Sequence, residues 1–153
     1  MSPYPWGDDV AGRVDQRTWD WTTRYYIGFH RGWHGIRPPD KWLLEHQLTR
    51  LNELGVKPVL VLDPYHPDTL AALKLHHWTQ HHQELRTLLS SLRSRGVRFE
   101  LIDLSGSPRL VSGWRTGYVD GIHARSWYAD RILRYVISKS HLSLLKPPQP
   151  PAQ

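Results

Sequence analysis

Apolar and polar positions follow three patterns along the chain. Arg24-Tyr25-Tyr26-Ile27-Gly28-Phe29 is an aromatic, β-branched run that predicts a first strand. Behind Pro38-Pro39-Asp40, the residues Leu43, Leu44, Leu48, Leu51 and Leu54 recur at helical spacing, and Gly55 closes that helix. Lys57-Pro58-Val59-Leu60-Val61-Leu62 is continuously apolar, as suits a parallel strand covered on both faces. A short helix from Asp68 to about Leu75 and a longer one from His76 to Arg95 come next, with their continuity left open. Val97 to Leu104 predicts a third strand. A final helix from about Ala124 to Ser138 carries Trp127, Ile132, Leu133, Val136 and Ile137.

Strands alternating with helices predict an α/β fold, a small parallel sheet with helices on its faces in three layers. The expected organisation is an irregular, Trp-rich arm over 1–23, the α/β domain over 24–140, and a Pro-rich tail over 141–153. Ligands of such sheets sit at the carboxyl ends of the strands. The loops there are His30 to Gly35, Asp63 to Pro67 and Asp103 to His123. An aromatic strand at 24–29 would also be an exposed edge, covered by the arm or by a protein partner.

Composition narrows the chemistry. The chain of 153 residues has no Cys, which removes disulfides, thiolate metal sites and a Cys nucleophile. At 39% hydrophobic and 22% charged it is neither a disordered tail nor a membrane protein, and no run is long enough to span a bilayer. The first residues lack the basic start and apolar core of a signal peptide, so the cytoplasm is the default compartment and no other is indicated. The formal charge of +6 permits an anionic partner. Arg13, Arg17, Arg24, Arg31 and Arg37 interleave with Trp19, Trp21 and Trp33, a pattern open to nucleic acid or to plain cation–π packing. No nucleic-acid-binding signature accompanies it, which disfavours nucleic acid.

Tyr118-Val119-Asp120-Gly121-Ile122-His123 is the sharpest motif. An Asp three residues before a His at a loop-to-helix junction brings a carboxylate to an imidazole, fixing its tautomer for general-base work. The blander alternative is an Asp-Gly turn beside an unrelated His. Asp63 and His66 form a second acid–imidazole pair on the same rim, for substrate contact or for a Pro-bracketed turn. His76, His77, His81 and His82 are read as a solvated helix face, and neither a metal nor another cofactor is assigned. Gly28 to Gly35 matches no phosphate or dinucleotide loop.

Asp120-x-x-His123 before the last helix, with the blocks Gly55 to Pro67 and Gly96 to Leu104, resembles the later part of the SGNH (GDSL-type) hydrolases, over about 24–138. The resemblance implies a flavodoxin-like α/β/α sandwich, with Asp120 and His123 as acid and base of a triad. It implies ester hydrolysis or acyl transfer on an acylated small molecule or polysaccharide, as in members that modify cell-envelope polysaccharides. The family's Gly-Asp-Ser block is absent; Gly7-Asp8-Asp9 has Asp where Ser is needed. Its Gly-x-Asn-Asp block is absent too, leaving His30 or loop N–H groups as oxyanion donors. Ser105, Ser107, Ser112 and Thr116 are the hydroxyls on the expected rim before Asp120, and none has a nucleophile-turn context, so the expectation is a Ser nucleophile that is missing or supplied elsewhere and a chain that is inactive alone or part of a larger enzyme. The alternative is a non-catalytic module that binds an anionic polymer or a protein.

Overall fold

The computed structural model describes residues 16–106, 117–120 and 122–144. Ser107, Ser112 and Thr116, most of the N-terminal arm and the end of the Pro-rich tail lie outside the described residues. Among the described residues the fold is mixed α/β, with five helices and a two-stranded parallel sheet.

Helix α1, Gln16–Arg31, replaces both the predicted strand at 24–29 and the end of the irregular arm. Trp19, Thr22, Tyr26 and His30 fall at spacings of three and four, and this face is turned inward. Trp21, Tyr25 and Phe29 form a neighbouring stripe, about 100° round the helix, and are exposed. The six-residue aromatic run has strand propensity, but within a longer window its helical period prevails. The edge that a partner was expected to cover therefore does not exist.

Helix α2, Pro38–Glu53, starts on two prolines. Strand β1, Val59–Leu62, pairs in parallel with β2, Glu100–Asp103, in the register Val59 to Glu100 and Leu62 to Asp103. Between them, α3, Pro67–Lys74, and α4, Trp78–Ser94, are separate helices. The break is His77, whose φ of 62° lies in the left-handed region, and this answers the question of their continuity. Helix α5, Ser126–Lys139, leads into a 3₁₀ turn, His141–Leu144. That turn departs from the expected tail: both the N–H and the imidazole of His141 bond Glu100 Oε2, at 3.0 and 2.7 Å.

Two buried clusters hold these elements. Leu48 of α2, Leu89 and Leu92 of α4, and Phe99 pack together on the sheet residues Leu60 and Leu101. Leu70, Leu73 and Trp78 form the second, with Tyr26 and Ile27 of α1 against them. Asn52 fixes where the sheet begins: it donates to the Val56 and Arg98 carbonyls and accepts from Arg98 N–H at 2.6 Å. Among the described residues, no helix is long and apolar enough to cross a membrane.

Candidate functional site

The segment 117–125 folds back on itself before α5. Val119 N–H donates to the His123 carbonyl and Arg125 N–H to the Gly117 carbonyl, both at 2.8 Å, around an antiparallel bridge from Tyr118 to Ala124. Tyr118 is fully buried, and its hydroxyl donates to the Pro64 carbonyl at 2.9 Å, tying this segment to the loop after β1. A glycine is required at 117, because a Cβ there would lie 2.5 Å from the Tyr128 ring.

At the tip of this turn Asp120 and His123 meet. Asp120 Oδ2 lies 2.7 Å from His123 Nδ1, while Oδ1 accepts the N–H groups of Ile122 and His123 at 2.8 Å. Thr22 of α1 adds a hydroxyl contact at 3.3 Å. The Asp120 side chain is 8% exposed and that of His123 68%. Burial by itself would raise the Asp120 carboxyl; the backbone and imidazole hydrogen bonds outweigh it and hold the group below its ordinary range. A carboxylate on Nδ1 fixes that proton, which leaves Nε2 as the nitrogen able to accept another.

His123 borders a cleft of about 850 Å³ beside the end of β1. Its walls are largely apolar, from Leu85, Ile132, Leu133 and Val136, with Tyr26, Asp63 and Trp78 among its other borders. Partial burial lifts the Asp63 carboxyl above its usual range. Of the predicted residues, His123, His30, Asp63 and Ser105 border this one cleft, with Asp120 behind His123. His66 does not border it. It is buried, accepts Asp68 N–H at 3.2 Å as the cap of α3, and sits edge-on to Trp19.

Two more imidazole clusters face the same space, and both correct the reading of 76–82 as a solvated helix face. His81 is 7% exposed; its Nδ1 lies 2.5 Å from Nδ1 of the buried His30, with Trp33 against its ring. Burial, then the neighbouring His81 and His76, push the His30 imidazole down to about 4. Burial also lowers His81. His82 Nε2 lies 2.7 Å from Ser105 Oγ and 3.2 Å from Asp103 Oδ2. Ser105 donates its hydroxyl to Asp103 Oδ1 at 2.5 Å and its N–H to the same oxygen at 3.1 Å. Burial opposes ionisation of Asp103, but the Ser105 and His82 hydrogen bonds win and hold its carboxyl low.

The sequence carried the missed signal. Trp78, His81, His82, Leu85, Leu89 and Leu92 form one helical stripe, so the two histidines belong to the buried face of α4. Among the described residues, no three His, Asp or Glu side chains converge in a way that would hold a metal ion. Comparison with protein-family models, curated proteins and solved structures finds no match to this chain.

Proposed function

We propose that this chain is a hydrolase-like domain akin to the SGNH hydrolases, acting in ester hydrolysis or acyl transfer through the Asp120–His123 pair. One observation carries the reading: a buried carboxylate 2.7 Å from Nδ1 of an imidazole at the edge of an apolar cleft. Such a pair makes a general base of Nε2. The parallel pairing of β1 with β2 and the position of the pair before the last helix are in keeping with a flavodoxin-like sandwich of three layers. The apolar walls suit the acyl chain of an esterified small molecule or polysaccharide.

The test is hydrolysis of p-nitrophenyl acetate by the wild-type chain and by His123→Ala. Turnover above the blank that falls by about 100-fold or more in the variant supports the reading. Wild-type chain that is folded and no faster than buffer overturns it.

A non-catalytic binding module is the second reading, favoured by one surface. Trp21 and Tyr25 stack at 5.6 Å on the outer face of α1, 67% and 59% exposed, with Arg24 exposed between them. Stacking aromatics beside a cation suit a polysaccharide, a nucleic acid or a protein surface. Salt-dependent retention on heparin that Arg24→Ala weakens would support it, and passage through the column at low salt would remove it.

A further inference from the structure

We propose that the cleft takes a quaternary ammonium group against Asp63, and that the ester of the reading above, on which this substrate class rests, carries that group. The chain as a whole is basic, with 20 Lys and Arg against 14 Asp and Glu. Yet among the described residues that border the cleft there is neither a Lys nor an Arg. Arg86 does not border it and reaches instead to the Asp103 carboxylate, 3.7 Å away. Two of the bordering histidines add no positive charge at neutral pH, because burial holds His30 and His81 below the ordinary imidazole range.

The carboxylates at or behind the cleft wall are engaged, with one exception. Asp40 pairs with Arg37 at 2.7 Å, Asp103 with Ser105 and His82, and Asp120 with His123. Asp63 follows β1 at the carboxyl end of the sheet and borders the cleft. Among the described residues no donor and no cation pairs with it. Desolvation without a donor is what lifts its carboxyl, and a bound cation is the partner that would reverse the effect.

The neighbouring rings complete the fit. Tyr65 is two residues beyond Asp63, and the charges of Tyr26 and Asp63 both bear on its hydroxyl. Tyr26 and Tyr65 pack against the same buried cluster, and Phe29 and Trp33 border the cleft as well. Trp78 is already occupied, by the stacked His82 ring at 4.8 Å and by Lys74, whose Nζ lies 5.8 Å from the ring centroid. A quaternary ammonium donates no hydrogen bond and calls only for aromatic faces and a countercharge. A primary ammonium brings three donors, and Asp63 is the one unpaired carboxylate described there. The Tyr118 hydroxyl holds Pro64, the neighbour of Asp63, to the turn that carries His123. That tie sets the two loops side by side, as a small ester touching both requires.

The experiment titrates choline into the full chain, read by Trp fluorescence and calorimetry. In parallel it compares hydrolysis of acetylcholine with that of 3,3-dimethylbutyl acetate, which has the same shape with carbon in place of nitrogen. Choline should bind at one saturable site, about 10-fold more tightly than its uncharged counterpart 3,3-dimethylbutanol, and Asp63→Asn should abolish the difference. Acetylcholine should exceed the neutral ester by about 10-fold in kcat/KM, with the ratio falling to near one in Asp63→Asn. Should that variant fail to fold, the wild-type comparison of choline with the alcohol decides alone. Equal binding of the two, or choline binding unchanged in folded Asp63→Asn, overturns the site. Hydrolysis of both esters at equal kcat/KM overturns the substrate class and leaves the esterase reading standing. Choline binding that depends on Asp63, without hydrolysis of either ester by folded chain, supports the ammonium site and overturns the esterase reading.

Discussion

His30 Nδ1 and His81 Nδ1 are 2.5 Å apart, so the two buried rings have room for one proton between them. One nitrogen donates and the other must be bare. Acid that protonates both rings sets two N–H groups against each other and separates α1 from α4. The folded-state value of His30, about 4, lies below its ordinary 6.5. The unfolded chain therefore binds more protons in that interval, and stability rises with pH. The contribution is complete above about 6.5, is lost as pH falls toward 4, and amounts to about 3 kcal/mol at most. Urea unfolding at pH 7 and pH 4.5 checks it: His30→Phe should flatten the dependence, and an unchanged slope would refute the pairing.

Asp120→Asn should cost more activity than stability. The amide can still accept the Ile122 and His123 N–H groups, but its NH₂ meets His123 Nδ1 and forces the proton to Nε2, the wrong nitrogen for a base. Ester hydrolysis should drop by about 10²- to 10⁴-fold in kcat, while far-UV dichroism stays that of wild type. A variant with full kcat would take the dyad out of the chemistry. Because the wild-type carboxyl is held low, its stabilising effect is present at neutral pH and lost as pH falls below the ordinary carboxylate range.

Tyr118→Phe removes the hydroxyl that ties the Asp120 turn to Pro64. It leaves the Pro64 carbonyl without that donor and should cost about 1–2 kcal/mol. Thermal unfolding should shift down by roughly 2–8 °C for a domain of this size. No shift would mean that the tie contributes nothing.

The α1 outer face gives the opposite expectation. Trp21→Ser and Tyr25→Ser alter exposed side chains, so stability should stay within about 0.5 kcal/mol of wild type. Esterase activity should be unchanged, and heparin retention, if present, should weaken. A large loss of stability would show that this face is covered in solution.

Much of this arrangement was legible. Pro38-Pro39, the glycines at 55 and 96, and the apolar run at 59–62 mark element ends and a buried strand by strong local rules. The Asp120–His123 contact was legible for the same reason, since three residues of spacing settle most of it. What was not legible depended on tertiary packing. Tyr25, Tyr26 and Ile27 have strand propensity, but the inward stripe from Trp19 to His30 decides the helix. His81 and His82 look polar in a linear reading, yet they share a stripe with Leu85 and Leu89. Ser105 was visible only as one rim hydroxyl among several, because its partner His82 is 23 positions away in the sequence.

Gly117 carries the Tyr128 ring directly over its α-carbon. In a library with every codon sampled there, folded clones would return glycine almost alone, whereas positions on the outer surface of α1 would drift freely. The tolerance map of this chain would then locate the turn beneath the Asp120–His123 pair without any substrate being known.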